Sequence, residues 1–184
     1  MNKKKIGIGM GTWAWGNKLV WGYKPETDDI LLKKTFFDAI DGGLDLVDTA
    51  DSYGTGRLFG QSEKLIGNFL EELPKRKIKK ITIATKLAPF PWRIGRNGLN
   101  KAFHKSNQRL KGNMKRVQIH WSTYRYAPWQ EEQLINGLGD LYEKGLIKEI
   151  GLSNTGPKRL NFLYQQLKER GIKIQSIQMQ FSLL

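Results

Sequence analysis

Asp48, Tyr53, Lys86 and His120 are four residue types able to move a proton, and each falls at or just after the end of a short apolar segment. A tyrosine titrates near pH 10 in model peptides, so it is a sluggish acid at neutral pH unless a neighbour stabilises its phenolate. Lys86 offers such a charge and is expected to lower the tyrosine pKa, with Asp48 holding the ammonium through a charge-assisted hydrogen bond. His120 could then orient a carbonyl oxygen beside the phenol, and Ser153-Asn154 adds a polar pair after a later segment. Each residue also has an ordinary explanation. Asp48 could be a satisfied polar group, Lys86 a snorkelling surface lysine, Tyr53 a rim aromatic and His120 a structural histidine. Their succession at corresponding places is what singles them out.

The elements that must position these side chains alternate regularly. Strands are expected to start near residues 6, 44, 81, 117, 147 and 174, with helical patterns between them. Thr27 is expected to cap the first helix, Gly42-Gly43 to close it, and Leu99 to Leu110 to form another. A helix over residues 130–144 ends at Gly145, and a last one runs from Pro157 to Gly171, with proline at its start and glycine at its end. Strands separated by helices imply a parallel sheet, because parallel neighbours need long crossover connections. A doubly wound sheet and a closed (β/α)₈ barrel both satisfy this alternation. In both, chemistry gathers at the carboxyl ends of the strands.

Composition bounds the partners. The 184 residues carry no cysteine and two histidines, which excludes a disulfide framework and starves a zinc site of ligands. A reducing, cytoplasmic compartment is expected. No apolar run approaches the roughly 18 residues a membrane span requires. Lys3-Lys4-Lys5 before residues 6–16 imitates a secretory signal, but the glycines there make a poor helical segment. The net charge is +14, and residues 73–130 hold 15 Lys or Arg and no Asp or Glu. That block reads as a solvated basic face, an attractor for an anionic cofactor, or a nucleic-acid surface.

Two phosphate motifs compete for attention. Gly9-x-Gly11-x-x-Ala14 fits a loose dinucleotide fingerprint, yet Trp13, Trp15 and Gly16 stand where its helix should begin. The segment from Gly54 to Gly60 lacks the Lys-Ser/Thr of a P-loop.

Gly9-Met-Gly-Thr-Trp-Ala-Trp15, Asp48-Thr-Ala-Asp-Ser-Tyr-Gly54, Ser62-Glu63 with Gly67, Ala84-Thr-Lys86, Gln118-Ile-His-Trp121, Gly151-Leu-Ser-Asn154 and Gln178 together resemble the aldo/keto reductase superfamily. Pro91-Trp-Arg93, His120-Trp121 and the segment from Gly145 to Gly151 resemble its plant and cyanobacterial branch. The resemblance implies one domain over residues 1–184, of the (β/α)₈ TIM-barrel type, with about six of eight βα units present. It implies a carbonyl reductase using NADPH, with Asp48, Tyr53, Lys86 and His120 catalytic and Tyr53 the general acid. Gly11, Thr12, Ser153, Asn154 and Gln178 would meet the cofactor, and Trp13, Trp15 and Trp121 the substrate, a small carbonyl compound.

The same resemblance places the residues that hold the adenosine phosphates beyond Leu184. A 184-residue chain is therefore expected to bind NADPH poorly, to self-associate through open sheet edges and to turn over little. A non-catalytic nicotinamide-binding or partner-binding subunit is the alternative, and nucleic-acid binding through residues 73–130 a further one.

Overall fold

The computed structural model describes residues 7–55 and 59–181. Lys3 to Ile6, part of the glycine segment from Gly54 to Gly60, and Leu184 lie outside them. Six strands alternate with helices: β1 (Gly9–Gly11), α1 (Lys18–Trp21), α2 (Pro25–Asp41), β2 (Leu46–Asp48), α3 (Gln61–Glu71), α4 (Lys75–Ile78), β3 (Thr82–Leu87), α5 (Gly95–Arg109), β4 (Met114–Ile119), α6 (Pro128–Glu143), β5 (Glu149–Ser153), α7 (Pro157–Glu169) and β6 (Ile174–Gln178).

All neighbouring strands are parallel, and their order across the sheet is their order along the chain. That settles the choice left open by alternation alone. A doubly wound sheet reverses its strand order at a switch point, whereas sequential order is the wall of a barrel. The fold is an incomplete (β/α)₈ barrel, with β1 and β6 as its outer strands. The loose dinucleotide fingerprint is not realised either, because residues 13–16 form a turn where its helix would stand.

Register aligns the strand ends. Gly11 pairs with Asp48, Lys86 with Gln118, Gln118 with Gly151, and Ser153 with Gln178. Because side chains alternate across a sheet, adjacent residues of β3 serve opposite layers. Thr85 donates to Glu63 of α3, on the helix side, while Lys86 reaches Asp48 at the mouth. Val47, Ile83, Val117 and Ile150 of the strands are wholly buried, and Phe36, Ile66, Leu134 and Leu138 of the helices close over them.

The boundaries shift where local chemistry outweighs the pattern. Helix α2 begins at Pro25, two residues before the expected cap, since proline's fixed φ suits the first turn; Thr27 instead bonds the Lys24 carbonyl and Asp28. Its Ile30 and Leu31 are exposed, and Phe36 and Ile40 supply the buried face. Gly145 and Gly171 adopt φ of +69° and +70° just past their helices, as those positions require.

Much of the basic block is structural. Arg93, Arg109 and Arg116 pair with Asp51, Glu63 and Glu149, all outside the block in sequence. The other charges of these pairs explain why the excess looks so one-sided when read along the chain.

Gly67 is where α3 meets the end of α5. A Cβ there would lie 2.0 Å from the Arg109 carbonyl oxygen, which is backbone and moves only with the helix. Gly67→Ala is therefore expected to cost about 2 kcal/mol or more by overpacking, outweighing the roughly 1 kcal/mol that alanine offers a helix interior. A urea midpoint that rises in this variant would contradict the close approach.

Candidate active site

Asp48 closes β2 with three donors on its carboxylate. Lys86 Nζ lies 2.6 Å and Gln178 Nε2 2.8 Å from Oδ2, and Gln118 Nε2 lies 3.3 Å from Oδ1. Lys86 is 1% exposed, and burial holds its pKa below the ordinary lysine value against the pull of Asp48. The ammonium stands 5.2 Å from the centre of the Tyr53 ring, and the His120 ring meets the Tyr53 ring edge-on at 5.8 Å. Asp48, Tyr53, Lys86 and His120 thus gather at the carboxyl ends of β2, β3 and β4.

One expectation about these four is corrected. Tyr53 is not acidified: burial, and then the Asp48 carboxylate, push its phenol above the usual tyrosine range. The physical reason is that burial disfavours the phenolate and the Asp48 carboxylate repels it, and the Lys86 charge, paired with Asp48, does not outweigh the two. The phenol is consequently a protonated group at neutral pH, suited to giving a proton.

His120 is the neutral partner. Burial, with Lys86 adding to it, lowers its pKa to about 4. An unfolded histidine titrates near 6.5, so between about pH 4 and 6.5 the unfolded chain binds a proton that the folded one refuses. Stability from this group is present above pH 6.5 and is lost as pH falls toward 4, by up to about 3 kcal/mol. His120→Gln should flatten the fall in urea midpoint over that window; an unchanged pH dependence would show that the ring is not held neutral.

Tyr53, Lys86 and His120 line a cavity of about 510 Å³ shared with Trp13, Ser52, Ser153, Asn154, Gln178, Met179 and Gln180. Ser153 Oγ is 3.5 Å from Gln178 Oε1, and Asn154 Nδ2 donates to Ser153 Oγ and to the His120 carbonyl, each at 3.2 Å. Asn154 takes φ +49°, a left-handed conformation that asparagine tolerates. Its side-chain oxygen, with the Ser153 hydroxyl and Gln178, offers the mixed donors and acceptors that a carboxamide such as nicotinamide's needs. The donor set fits that end of the cofactor.

Four other expected site residues fall elsewhere. Thr12 is fully buried: its hydroxyl donates to the Asp48 carbonyl at 3.0 Å and accepts from Ser62 Oγ at 2.7 Å, tying the end of β1 to that of β2. Gly11 lies within β1, paired with Asp48. Trp15 is 6% exposed and packs edge-on against Phe36 and Phe69, so it belongs to the core while Trp13 lines the cavity. Trp121 adjoins His120 but donates from Nε1 to Tyr126 at 2.7 Å and meets Phe90 edge-on, in a cluster that includes Trp92 stacked on Phe90.

Residues beyond those expected complete the site. Gln118 lies near the end of β4, two positions before His120 and paired in register with Lys86 of β3. Ser52 lies 3.2 Å from His120 Nδ1. Asp51, fully buried, accepts from the Ala88 amide at 3.1 Å and pairs with Arg93, which also donates to the Ala88 carbonyl at 2.6 Å. That clamp fixes the loop carrying Tyr53 to the loop after β3. Among the described residues, no cluster of His, Asp and Glu could hold a metal ion, and no helix is long and apolar enough to cross a membrane.

Residues 7–184 match the model of the aldo/keto reductase family. The chain is 48% identical over 180 residues to the chloroplastic pyridoxal reductase of Arabidopsis thaliana, covering 96% of this chain and 49% of that one. It is 32% identical over 164 residues to the aldo-keto reductase YhdN of Bacillus subtilis, covering 84% and 45%. Among solved structures, the thermostable aldo-keto reductase Tm1743 superposes with TM-score 0.77 at 22% identity, covering 98% of this chain and 60% of that one. The glycerol dehydrogenase AKR11B4 of Gluconobacter oxydans superposes with TM-score 0.71 at 27% identity, covering 93% and 50%. The chain spans about half the length of the curated relatives it matches. With six parallel strands in barrel order and the family match running through every one of them, the chain belongs to the aldo/keto reductase family.

Proposed function

We propose that the protein reduces an aldehyde or ketone to the alcohol with NADPH as reductant, and that Tyr53 gives the proton. The observation that carries this reading is the cavity in which a protonated phenol, a neutral imidazole and the Lys86 ammonium, itself paired with Asp48, stand beside Ser153, Asn154 and Gln178. Reduced nicotinamide, when bound, supplies the hydride. Ser153, Asn154 and Gln178 would hold its carboxamide. Tyr53 protonates the carbonyl oxygen as negative charge develops there, and the imidazole steadies that oxygen by a hydrogen bond. Lys86 compensates the charge left on the phenolate, while Asp48 keeps the ammonium in place.

The name of the plant relative suggests pyridoxal, an aromatic aldehyde, as the first substrate to try. Trp13 at the cavity and the Phe90, Trp92 and Trp121 cluster beside His120 are compatible with a flat ring. The decisive experiment titrates the protein with NADPH and NADH by fluorescence. It then mixes excess loaded protein with pyridoxal and with simple aldehydes, following loss of reduced-nicotinamide absorbance in a single turnover. Binding without hydride transfer to any carbonyl would favour a non-catalytic nicotinamide-binding subunit.

Salt separates the remaining alternative. Screening over about 8 Å at physiological ionic strength should weaken NADPH binding only modestly. A steep loss of affinity for arbitrary DNA with added salt would instead assign residues 73–130 to nucleic acid.

A further inference from the structure

Ser52 stands between two anchored residues. The Asp51 amide donates to the Lys86 carbonyl at 2.9 Å, the Tyr53 amide to the Ala50 carbonyl at 3.2 Å, and the Asp51 side chain is clamped by Ala88 and Arg93. Its backbone is thereby held, and the Ser52 hydroxyl is presented to His120 Nδ1 at 3.2 Å. Among the described residues neither the Ser52 hydroxyl nor the His120 ring makes another hydrogen bond, so the pair depends on itself.

A neutral imidazole carries one N–H, and the contact can be made in two ways. If Nδ1–H donated to Ser52, the serine proton would lack an acceptor and Nε2 would be a bare acceptor toward the cavity. If Ser52 donates, its proton and the Nδ1 lone pair are both satisfied, and Nε2 carries the hydrogen. Burial, Lys86 and Arg93 all disfavour the doubly protonated ring, while Asp48 alone favours it, so the choice is between tautomers.

We propose that Ser52 is a positioning residue: its hydroxyl donates to His120 Nδ1 and locks the ring as the Nε2–H tautomer, making the nitrogen left to the cavity a hydrogen-bond donor. On the carbonyl-reductase reading, with which this last consequence stands or falls, that donor is what meets the substrate oxygen beside Tyr53. Ser52 touches no reacting atom and acts through the histidine.

The chain has two histidines, so ¹⁵N-labelled histidine gives two sets of ring signals, and His104 on α5 is an internal control. At neutral pH, without cofactor or substrate, His120 is expected as the Nε2–H form. Ser52→Ala should shift its tautomer ratio by about fivefold toward Nδ1–H, the worth of one neutral hydrogen bond, with His104 unmoved. Ser52→Thr should restore the wild-type ratio. In the single-turnover assay Ser52→Ala should slow reduction by about fivefold with NADPH affinity unchanged, and Ser52→Thr should recover it. Should the alanine variant fail to fold, Ser52→Cys, a weak donor of similar shape, carries the same test. A wild-type His120 in the Nδ1–H form, or a ratio unchanged in Ser52→Ala or Ser52→Cys, overturns the proposal. A tautomer shift in a protein that reduces no carbonyl would uphold the positioning by Ser52 and overturn the reductase reading alone.

Discussion

Tyr53→Phe is expected to slow single-turnover reduction of an aldehyde by about 10²–10⁴-fold, the usual worth of a general acid, with NADPH affinity nearly unchanged. The substitution is informative because it removes one atom. Phenylalanine keeps the ring, so the edge-on contact with His120 and the approach of the Lys86 ammonium both survive, and the cavity retains its shape. What disappears is the only phenol hydroxyl lining that cavity among the described residues. The raised pKa of Tyr53 places its proton on the oxygen throughout the neutral range, so the loss should not depend on pH there. A variant that kept most of the wild-type rate would remove Tyr53 from the chemistry and leave His120 or a water as donor.

The largest effect on stability is expected at Glu63. Its carboxylate is fully buried where three elements meet: it rides on α3, accepts from Thr85 of β3 at 2.5 Å, and pairs with Arg109 at the end of α5 at 2.6 Å. Glu63→Ala would strand the Arg109 guanidinium, whose side chain is 18% exposed, without a counter-charge, and leave the Thr85 hydroxyl without an acceptor. Removing one member of a buried pair costs about 3–5 kcal/mol, which is a large part of the 5–15 kcal/mol that typically separates folded from unfolded chains. Urea denaturation measures this directly. Adding Arg109→Leu to Glu63→Ala should recover part of the loss, because the cost lies in the uncompensated charge more than in the missing attraction. A single variant within 1 kcal/mol of wild type, about the level of an exposed pair, would mean that solvent reaches the guanidinium after all.

Local pattern was enough to identify the strands and the residues at their ends. Apolar segments separated by helical periods, with Asp48, Lys86, His120 and Ser153 at corresponding places, follow from rules that act over a few residues, and so did the glycines at 145 and 171. The structure assembled those ends as the sequence implied. Barrel or open sheet was not decided by alternation, because strand order is a relation among distant segments; only the pairing of each strand with the next in sequence made that choice.

The same limit governs the site. Trp13 and Trp15 are two residues apart and chemically identical, yet one lines the cavity and the other is core, since Phe36 of α2 and Phe69 of α3 close over Trp15. Thr12 looked like a cofactor contact until Ser62, far along the chain, claimed its hydroxyl. Lys86 was expected to acidify Tyr53, but its charge is paired with Asp48 and does not offset the burial of the phenol. Residue types and spacing therefore determined which chemistry was possible, through the proton-bearing groups and the strands that carry them. The tertiary structure decided which charge is already neutralised, which aromatic is buried and which nitrogen of His120 is free, because burial and pairing depend on contacts between segments that no local pattern brings together.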